Sequence, residues 1–479
     1  MDRTILIGIV VCIIVILGGI AAFIRYRYTR PHTRDVRLIA SATLAAVVML
    51  IVGAYTLPQI PASPGKDPQK LPSPTGSTII KIATDMPVSG YNLIFGKGVE
   101  NGAHLAVDQA NAHHTIPGYT LVFDPKDDTG SGGNHDPAVG AANVTEFISD
   151  ALVAGIVGPF NSAVAFTEMP ITNQAPIALI SPSNTNPCLT KDTTAPGCKD
   201  ENNHPIPDLR PTGKVNYFRV VTTDDFQGSA GADYMAMLGY KKAYVIDDAE
   251  TYGIGMANAF TGAWPKVGGL VLGRSSEPAT TTSYISLLKH VDSLHPDFIY
   301  FGGFDSTGGT LIRQQMQHIP GLQNLPYVSD DGTVDPAFAT AIQPLGGGPA
   351  YGTVAVADPS NNPKDTSFQQ QYAAAFPNEP ANIYSPAAYD AANILIQAIK
   401  ASLAHGFHTP ANSSDAAGAV TFRTAVIATI QHIQYDGITG HHSFDANGDT
   451  NLKIITIYTL GLNASNKPDW LFKSQIAVQ

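Results

Sequence analysis

The sequence predicts the α/β fold class: two lobes, each a parallel β-sheet covered by helices, preceded by two transmembrane helices. Three observations lead to this prediction. Two uncharged apolar stretches open the chain, and a proline-rich segment follows them. The remaining residues, roughly 400, alternate short β-branched runs with segments of helical periodicity. That length exceeds one hydrophobic core, so two lobes are expected.

The two apolar stretches, residues 5–24 and 38–57, each have the length that a helix needs to cross a bilayer. Five arginines lie between them, from Arg25 to Arg37, against the lone Arg3 at the other end. This asymmetry predicts a cytoplasmic loop and two external termini. Alternatively, only residues 38–57 insert, as a signal sequence whose basic flank is the arginine loop. In both cases we expect the protein at the cell membrane with its large domain outside the cytoplasm.

Residues 58–77 form the predicted tether, which is too rich in proline for a helix and too poor in apolar groups for a core. Beyond residue 57 the chain carries 22 basic and 37 acidic residues, a formal charge of −15. A surface this acidic repels phosphate backbones, so nucleic acid is excluded as a partner.

The exported part contains two cysteines, Cys188 and Cys198, on either side of a polar loop with no histidine at ligand spacing. An oxidising compartment favours a disulfide between them over a zinc site, because two ligands alone do not hold zinc.

The repeating pattern predicts individual elements, and the strands are bounded by Gly, Pro or Asp. The predicted strands are 79–83, 121–123, 153–157, 177–180, 243–246 and 298–301. The predicted helices are 98–112, 137–149, 229–238, 283–294, 308–318, 367–376 and 384–404. Their succession indicates parallel sheets with helices on both faces, and ligands of such sheets bind beyond the carboxyl ends of the strands.

An ordered set of motifs runs from residue 79 to the C-terminus. It includes Gly96-Lys97-Gly98, Asp127-Asp128, Gly155-Ile156-Val157-Gly158-Pro159, Ile180-Ser181-Pro182-Ser183-Asn184-Thr185, Tyr217-Phe218-Arg219, Asp224 with Gln227-Gly228, Asp248 with Tyr252-Gly253, Phe301-Gly302-Gly303-Phe304 and Phe444-Asp445 with Asn447-Gly448-Asp449. The set resembles the branched-chain amino-acid-binding (Leu/Ile/Val-binding) family of ABC-transporter substrate-binding proteins.

The resemblance implies the type I periplasmic-binding fold, in which two Rossmann-like lobes joined by a hinge of three crossovers close on a small ligand. Transferred to this chain, the first lobe comprises residues 79–222 and 358–440. The second comprises residues 223–357 and 441–479.

The family's carboxylate-binding positions correspond to Ser162, in the loop after the strand 153–157, and to Ser183 and Thr185 after the next strand. Hydroxyls and free N–H groups at a strand-to-helix turn suit an anion. The alternative is that these residues only cap helices.

The second lobe offers Asp331 as the counter-charge for a ligand ammonium, where family members usually place a glutamate. Asp330 is the other candidate, and either aspartate could instead be a turn residue before Gly332. Tyr252 matches a tyrosine that covers the ligand. Phe95 and Phe304 stand where relatives often carry tyrosines, which favours an apolar ligand side chain.

Catalytic motifs that would indicate an enzyme, such as Gly-x-Ser-x-Gly or His-Glu-x-x-His, do not occur in the exported sequence. The pairs His113-His114 and His441-His442 are predicted to be surface histidines rather than metal ligands, and residues 445–449 a hairpin turn rather than a calcium loop. We therefore expect no enzyme, cofactor or metal. The predicted function is capture of a small amino acid or amide for an ABC permease, and the alternative is a ligand-sensing receptor.

Overall fold

The structure, a computed structural model, describes residues 78–191 and 206–478. The two predicted membrane spans, the tether and Cys198 lie outside these residues. Within them, no helix combines the length and the apolar character that crossing a bilayer requires.

Fourteen strands and twelve α-helices make up the described part of the chain. The strands are β1 (Thr78–Met86), β2 (Tyr119–Asp127), β3 (Val153–Val157), β4 (Ala178–Ser181), β5 (Tyr217–Arg219), β6 (Lys242–Asp247), β7 (Leu270–Ser276), β8 (Phe298–Gly302), β9 (Tyr327–Ser329), β10 (Ala350–Val354), β11 (Tyr435–Asp436), β12 (His441–His442), β13 (Ile454–Leu462) and β14 (Pro468–Ala477). The helices are α1 (Leu93–Ala112), α2 (Pro137–Ser149), α3 (Ser162–Gln174), α4 (Ile206–Leu209), α5 (Asp224–Met237), α6 (Thr251–Ala263), α7 (Ile285–Ser293), α8 (Thr310–Met316), α9 (Pro336–Ile342), α10 (Pro363–Ala375), α11 (Ser385–Ala404) and α12 (Ala416–Gln431).

The first sheet has the order β2-β1-β3-β4-β5, and all its strands are parallel. Strand β3 is buried along its whole length, as expected for a parallel strand with helices on both faces. One face packs against α2 and α3 through a cluster that includes Val144, Phe147 and Met169. Helices α11 and α1, both 20 residues long, pack together and belong to the same lobe.

The second sheet has the order β14-β13-β10-β9-β8-β6-β7. Its strands from β7 to β10 are parallel, whereas β13 and β14 run antiparallel at one edge. The chain passes between the two sheets three times: between β5 and β6, between β10 and α10, and between α12 and β13. The predicted α/β class with two sheet-based lobes is confirmed.

The predicted elements agree best at α2 and β3, which both have the predicted bounds. Strand β3 has the predicted bounds, whereas α1 and α5 begin five residues earlier than predicted, at Leu93 and Asp224. The pattern does not predict β13 and β14, because an antiparallel edge pair with one partly exposed face lacks a continuous apolar run.

The prediction for the second histidine pair is half wrong. His441 is exposed, but His442 is fully buried and its ring nitrogens lie 2.8 Å and 3.3 Å from the hydroxyls of Thr439 and Thr450. Both residues lie in β12, where successive side chains point to opposite faces, so one of them must face inward.

The predicted hairpin turn at residues 445–449 is confirmed. The Asp445 N–H donates to the Asp449 carbonyl at 2.8 Å, and Phe444 pairs with Thr450 in an antiparallel bridge. Cys188 is fully buried and disulfide-bonded. Because Cys198 lies outside the described residues, its pairing with Cys188 stays a prediction.

Candidate functional site

The predicted site residues lie at the carboxyl ends of parallel strands in both lobes. Ser162 begins α3 directly after β3, and Ser183 and Thr185 follow β4. In the other lobe, Tyr252 lies in the first turn of α6 after β6, Phe304 follows β8, and Asp331 follows β9. All six are at most 6% exposed. The sequence-based set therefore comes together in one interlobe region.

The two loops of the first lobe are joined by hydrogen bonds. The Ser181 hydroxyl donates to the Pro159 carbonyl at 2.9 Å and accepts from the Asn184 N–H at 2.9 Å. The Ser183 hydroxyl and the Asn184 amide both donate to the Phe160 carbonyl, at 2.9 Å and 2.7 Å. The Ser183 hydroxyl proton is therefore already engaged within the protein and is not free to donate to a ligand.

Free polar groups remain beside these loops. The hydroxyl of Thr185 and both amide atoms of Asn161 are buried without a hydrogen-bond partner in the described part of the chain. Asn161, not Ser162, occupies the N-cap position of α3. The Asn161 side chain makes no capping hydrogen bond. The first N–H groups of a helix have no partner within it. The Thr185 hydroxyl, the Asn161 amide nitrogen and these N–H groups are donors suited to a carboxylate.

Arg219 holds the loop that carries Thr185 in place. Its guanidinium donates to the carbonyls of Asn184 and Asn186, at 3.1 Å and 2.7 Å, and to the Thr190 hydroxyl. Its Nε pairs with Asp449 at 2.7 Å, and both side chains are at most 1% exposed. Burial opposes the ionisation of Asp449, but the guanidinium outweighs this and lowers the pKa of that carboxyl.

Asp331 receives three hydrogen bonds. Its Oδ1 accepts from the Gln227 amide at 2.6 Å and from the Tyr252 hydroxyl at 2.8 Å. Its Oδ2 accepts from the Tyr384 hydroxyl at 2.8 Å. Tyr384 immediately precedes α11 of the first lobe, so this last bond joins the two lobes. Burial raises the pKa of Asp331, and the three donors counteract that shift.

Asp330 has a different environment from Asp331. Its carboxylate accepts from the backbone N–H groups of Gly332, at 3.1 Å, and Gly303, at 3.2 Å. Burial and the neighbouring charge of Asp331 raise its pKa well above the usual range. Asp330 therefore fixes the turn and the Phe304 loop, while Asp331 has the donors that favour an ionised carboxylate.

Aromatic side chains from both lobes surround Asp331. The ring of Phe304 lies 5.1 Å from that of Tyr252 and 6.4 Å from that of Phe95, which belongs to α1 of the first lobe. Phe160 lies 5.8 Å from Phe95 and 6.2 Å from Tyr384. These five rings give the interlobe region apolar walls around one carboxylate.

Sequence reasoning missed Tyr384, Phe160 and Asn161 as site residues, and named Gln227 and Asp224 only within motifs. Asp224 is fully buried, and neither carboxyl oxygen has a partner in the described residues. Burial raises its pKa well above the usual range. The Thr185 hydroxyl lies close enough to oppose this shift, although it makes no hydrogen bond to Asp224, and the charge of Asp331 reinforces the shift. The position of Asp224 at the start of a helix after a crossover was a usable signal. No comparable signal marks Tyr384.

Comparison with known proteins decides the family. The family model described as "Periplasmic binding protein" matches residues 79–461. The chain belongs to this family. The resemblance inferred from the residues, to its branched-chain amino-acid-binding members, is thereby confirmed. The family consists of solute-binding proteins of ABC transporters, so the chain is not an enzyme.

Curated relatives include the Leu/Ile/Val-binding protein BraC3 of Rhizobium johnstonii, 26% identical over 67% of this chain and 79% of the relative. Leu/Ile/Val-binding protein homolog 3 of Brucella melitensis is 27% identical over 72% of this chain and 87% of its own length.

Solved structures with the same fold include the leucine-binding protein LivK of Thermotoga maritima, with 23% identity and a TM-score of 0.65 over 83% of this chain and 98% of that one. A solute-binding protein of Rhodopseudomonas palustris in complex with p-hydroxybenzoic acid has 16% identity and a TM-score of 0.67, covering 84% and 98% of the two chains. The type I periplasmic-binding fold is confirmed.

The Arg219–Asp449 pair yields a stability prediction. Asp449→Asn leaves a buried guanidinium without its counter-charge, so the free energy of unfolding should fall by about 3–5 kcal/mol at pH 7. The folded-state pKa of Asp449 is lowered, so the pair's contribution is fully present above the unfolded pKa and is lost as the pH falls through the folded value.

Urea denaturation measures this change. The exposed Asp233→Asn on α5 is the matched control and should shift the free energy of unfolding by no more than about 0.5 kcal/mol. Equal stability of the two variants would contradict the structural role given to the Arg219–Asp449 pair.

Proposed function

We propose that this protein captures a small amino acid, branched-chain or similar, between its two lobes and delivers it to an ABC permease. The proposal rests on one observation: the two lobes present groups of opposite polarity to the site. Free donors around Thr185 and the start of α3 lie in one lobe, and the carboxylate of Asp331 lies in the other. An α-amino acid carries the complementary pair of charges.

The aromatic walls support an apolar ligand side chain. Phe95 and Phe304 bring no hydroxyl to the region, and both are nearly buried by their neighbours. The names of the curated relatives, which are Leu/Ile/Val-binding proteins, support the same ligand class. We assign Ser162, Ser183 and Thr185 to the carboxylate side, with Ser183 contributing chiefly through its loop, and Asp331 and Tyr252 to the ammonium side.

The capture step would be closure of the lobes about their three crossovers, with residues 79–222 and 358–440 moving against residues 223–357 and 441–479. A ligand that contacts both lobes stabilises the closed arrangement because it binds that arrangement more tightly. The Tyr384–Asp331 hydrogen bond supports this step, since it joins the lobes beside the proposed site.

A second candidate ligand class is a small aromatic acid. Asp331 already accepts three hydrogen bonds. They compensate for the burial of its carboxylate, so a ligand ammonium is not required to stabilise it. The Rhodopseudomonas palustris relative binds such an acid within the same fold.

A sensing receptor, the alternative to transport, would use the same site and differ only in its membrane partner.

Asp331→Asn distinguishes the ligand classes because it keeps the volume of the side chain and removes its charge. For an α-amino acid ligand we expect binding to weaken by about 2–5 kcal/mol, since the ammonium loses its buried counter-charge. Calorimetric titration with L-leucine, L-isoleucine, L-valine and p-hydroxybenzoate measures the change.

The neighbouring Asp330→Asn serves as the control. It removes an acceptor from the turn, so thermal stability should fall while affinity changes by less than about 1 kcal/mol. If Asp331→Asn binds L-leucine as tightly as the unaltered protein, the ammonium assignment is wrong. If p-hydroxybenzoate alone binds, the second ligand class replaces the first.

Membrane tethering by residues 5–24 and 38–57 is part of the proposal and rests on their hydropathy and the arginine loop. A cysteine placed at Thr33 should resist an impermeant thiol reagent in intact cells, because that loop is predicted to be cytoplasmic. One placed at Ser73 in the tether should react. Labelling at both positions would rule out the hairpin orientation.

A further inference from the structure

Asp224 is a buried carboxyl group that the described part of the chain leaves without a partner. Its side chain is fully buried, and neither of its oxygens has a hydrogen-bond partner among these residues. Helix capping, an ordinary role for an aspartate near the start of a helix, does not explain the residue, because Thr223 occupies the N-cap position of α5. Buried carboxyl groups are otherwise paired with a donor or a cation, so Asp224 calls for a group from outside the chain.

Neighbours from both lobes place the Asp224 carboxyl in the interlobe region. Its N–H donates to the Thr185 carbonyl at 2.9 Å, and the unpaired Thr185 hydroxyl lies close to its carboxyl. Gln227, three residues further along α5 and therefore on the same helix face, donates to Asp331 at 2.6 Å. The charge of Asp224 also acts on the phenols of Tyr252, Tyr300 and Tyr384. The carboxyl therefore faces residues that the proposed function assigns to the ligand.

The cations near the start of α5 are already engaged with other carboxylates. Arg219 opposes the rise in the pKa of Asp224 that burial causes, but its Nε pairs with Asp449 at 2.7 Å. Lys191 pairs with Asp225, the next residue of α5, at 2.8 Å. Neither cation serves Asp224 as its own counter-charge, and an ammonium brought by the ligand can take that place.

We propose that Asp224 is a second carboxylate for the ligand ammonium, beside Asp331, and that its place next to Thr185 restricts the ligand to α-amino acids. In an α-amino acid one carbon carries both the ammonium and the carboxylate, so the groups that bind them must be neighbours. The Thr185 hydroxyl serves the carboxylate in the proposed function, on which this assignment rests, and the adjacent Asp224 serves the ammonium. An ammonium at this position also favours the ionised form of Asp224.

Asp224→Asn tests the role of this carboxyl, because it keeps the volume of the side chain and removes its charge. Calorimetric titration of the full-length protein with L-leucine should give an affinity about tenfold or more below that of the exposed control Asp233→Asn. The melting temperature of the empty protein should not fall, since the substitution removes a buried carboxyl that has no partner among the described residues. A purely structural residue would lose thermal stability together with affinity.

L-β-homoleucine tests the restriction to α-amino acids. One added methylene separates its ammonium-bearing carbon from its carboxylate, so its two charges no longer match the neighbouring Thr185 and Asp224. The unaltered protein should bind it about tenfold or more weakly than L-leucine.

The outcomes separate this assignment from the proposed function. If Asp224→Asn binds L-leucine as Asp233→Asn does, or loses affinity only together with thermal stability, the role of Asp224 is wrong and the proposed function stands. Equal binding of L-leucine and L-β-homoleucine overturns the restriction to α-amino acids. If the unaltered protein binds none of L-leucine, L-isoleucine and L-valine, the proposed function is contradicted and the assignment of Asp224 falls with it.

Discussion

The buried carboxylate of Asp331 is the constraint on which the interlobe region depends. A charge removed from water must be compensated by hydrogen bonds or an opposite charge. The protein supplies Gln227 and Tyr252 from one lobe and Tyr384 from the other, at 2.6–2.8 Å. Because one of these donors crosses between lobes, the electrostatic requirement of a single side chain also favours their closed arrangement. Asp330, next to it, is used differently and fixes the turn through two backbone N–H groups.

The opposite side of the region depends on a second buried charge. Arg219 binds two carbonyls of the loop after β4 and pairs with Asp449, which lies in a hairpin turn more than 200 residues later in the chain. The loop can therefore leave the Thr185 hydroxyl unpaired without losing its shape. A rigid set of free donors needs no rearrangement when an anion binds, which lowers the cost of binding.

The sequence predicts those features of the fold and the site that depend on local residue patterns. Strand β3 was predicted with its bounds because five consecutive buried residues between turn residues are typical of a parallel strand. Thr185 and Asp331 were identified from the family resemblance, and both follow parallel strands, where ligands of such sheets bind. Tyr384 could not be predicted, because its role depends on a contact with a residue 53 positions away in the other lobe. His442 was misjudged for a similar reason, since its burial depends on the way in which β12 faces the protein.

A crystal structure of the protein with its tightest-binding amino acid tests the central claim most directly. The account predicts that the ligand ammonium lies about 2.7–3.0 Å from a carboxylate oxygen of Asp331, with the ligand carboxylate at the same range from the Thr185 hydroxyl and the N–H groups at the start of α3. A ligand bound elsewhere, or bound in this cleft with its ammonium directed away from Asp331, would contradict the account.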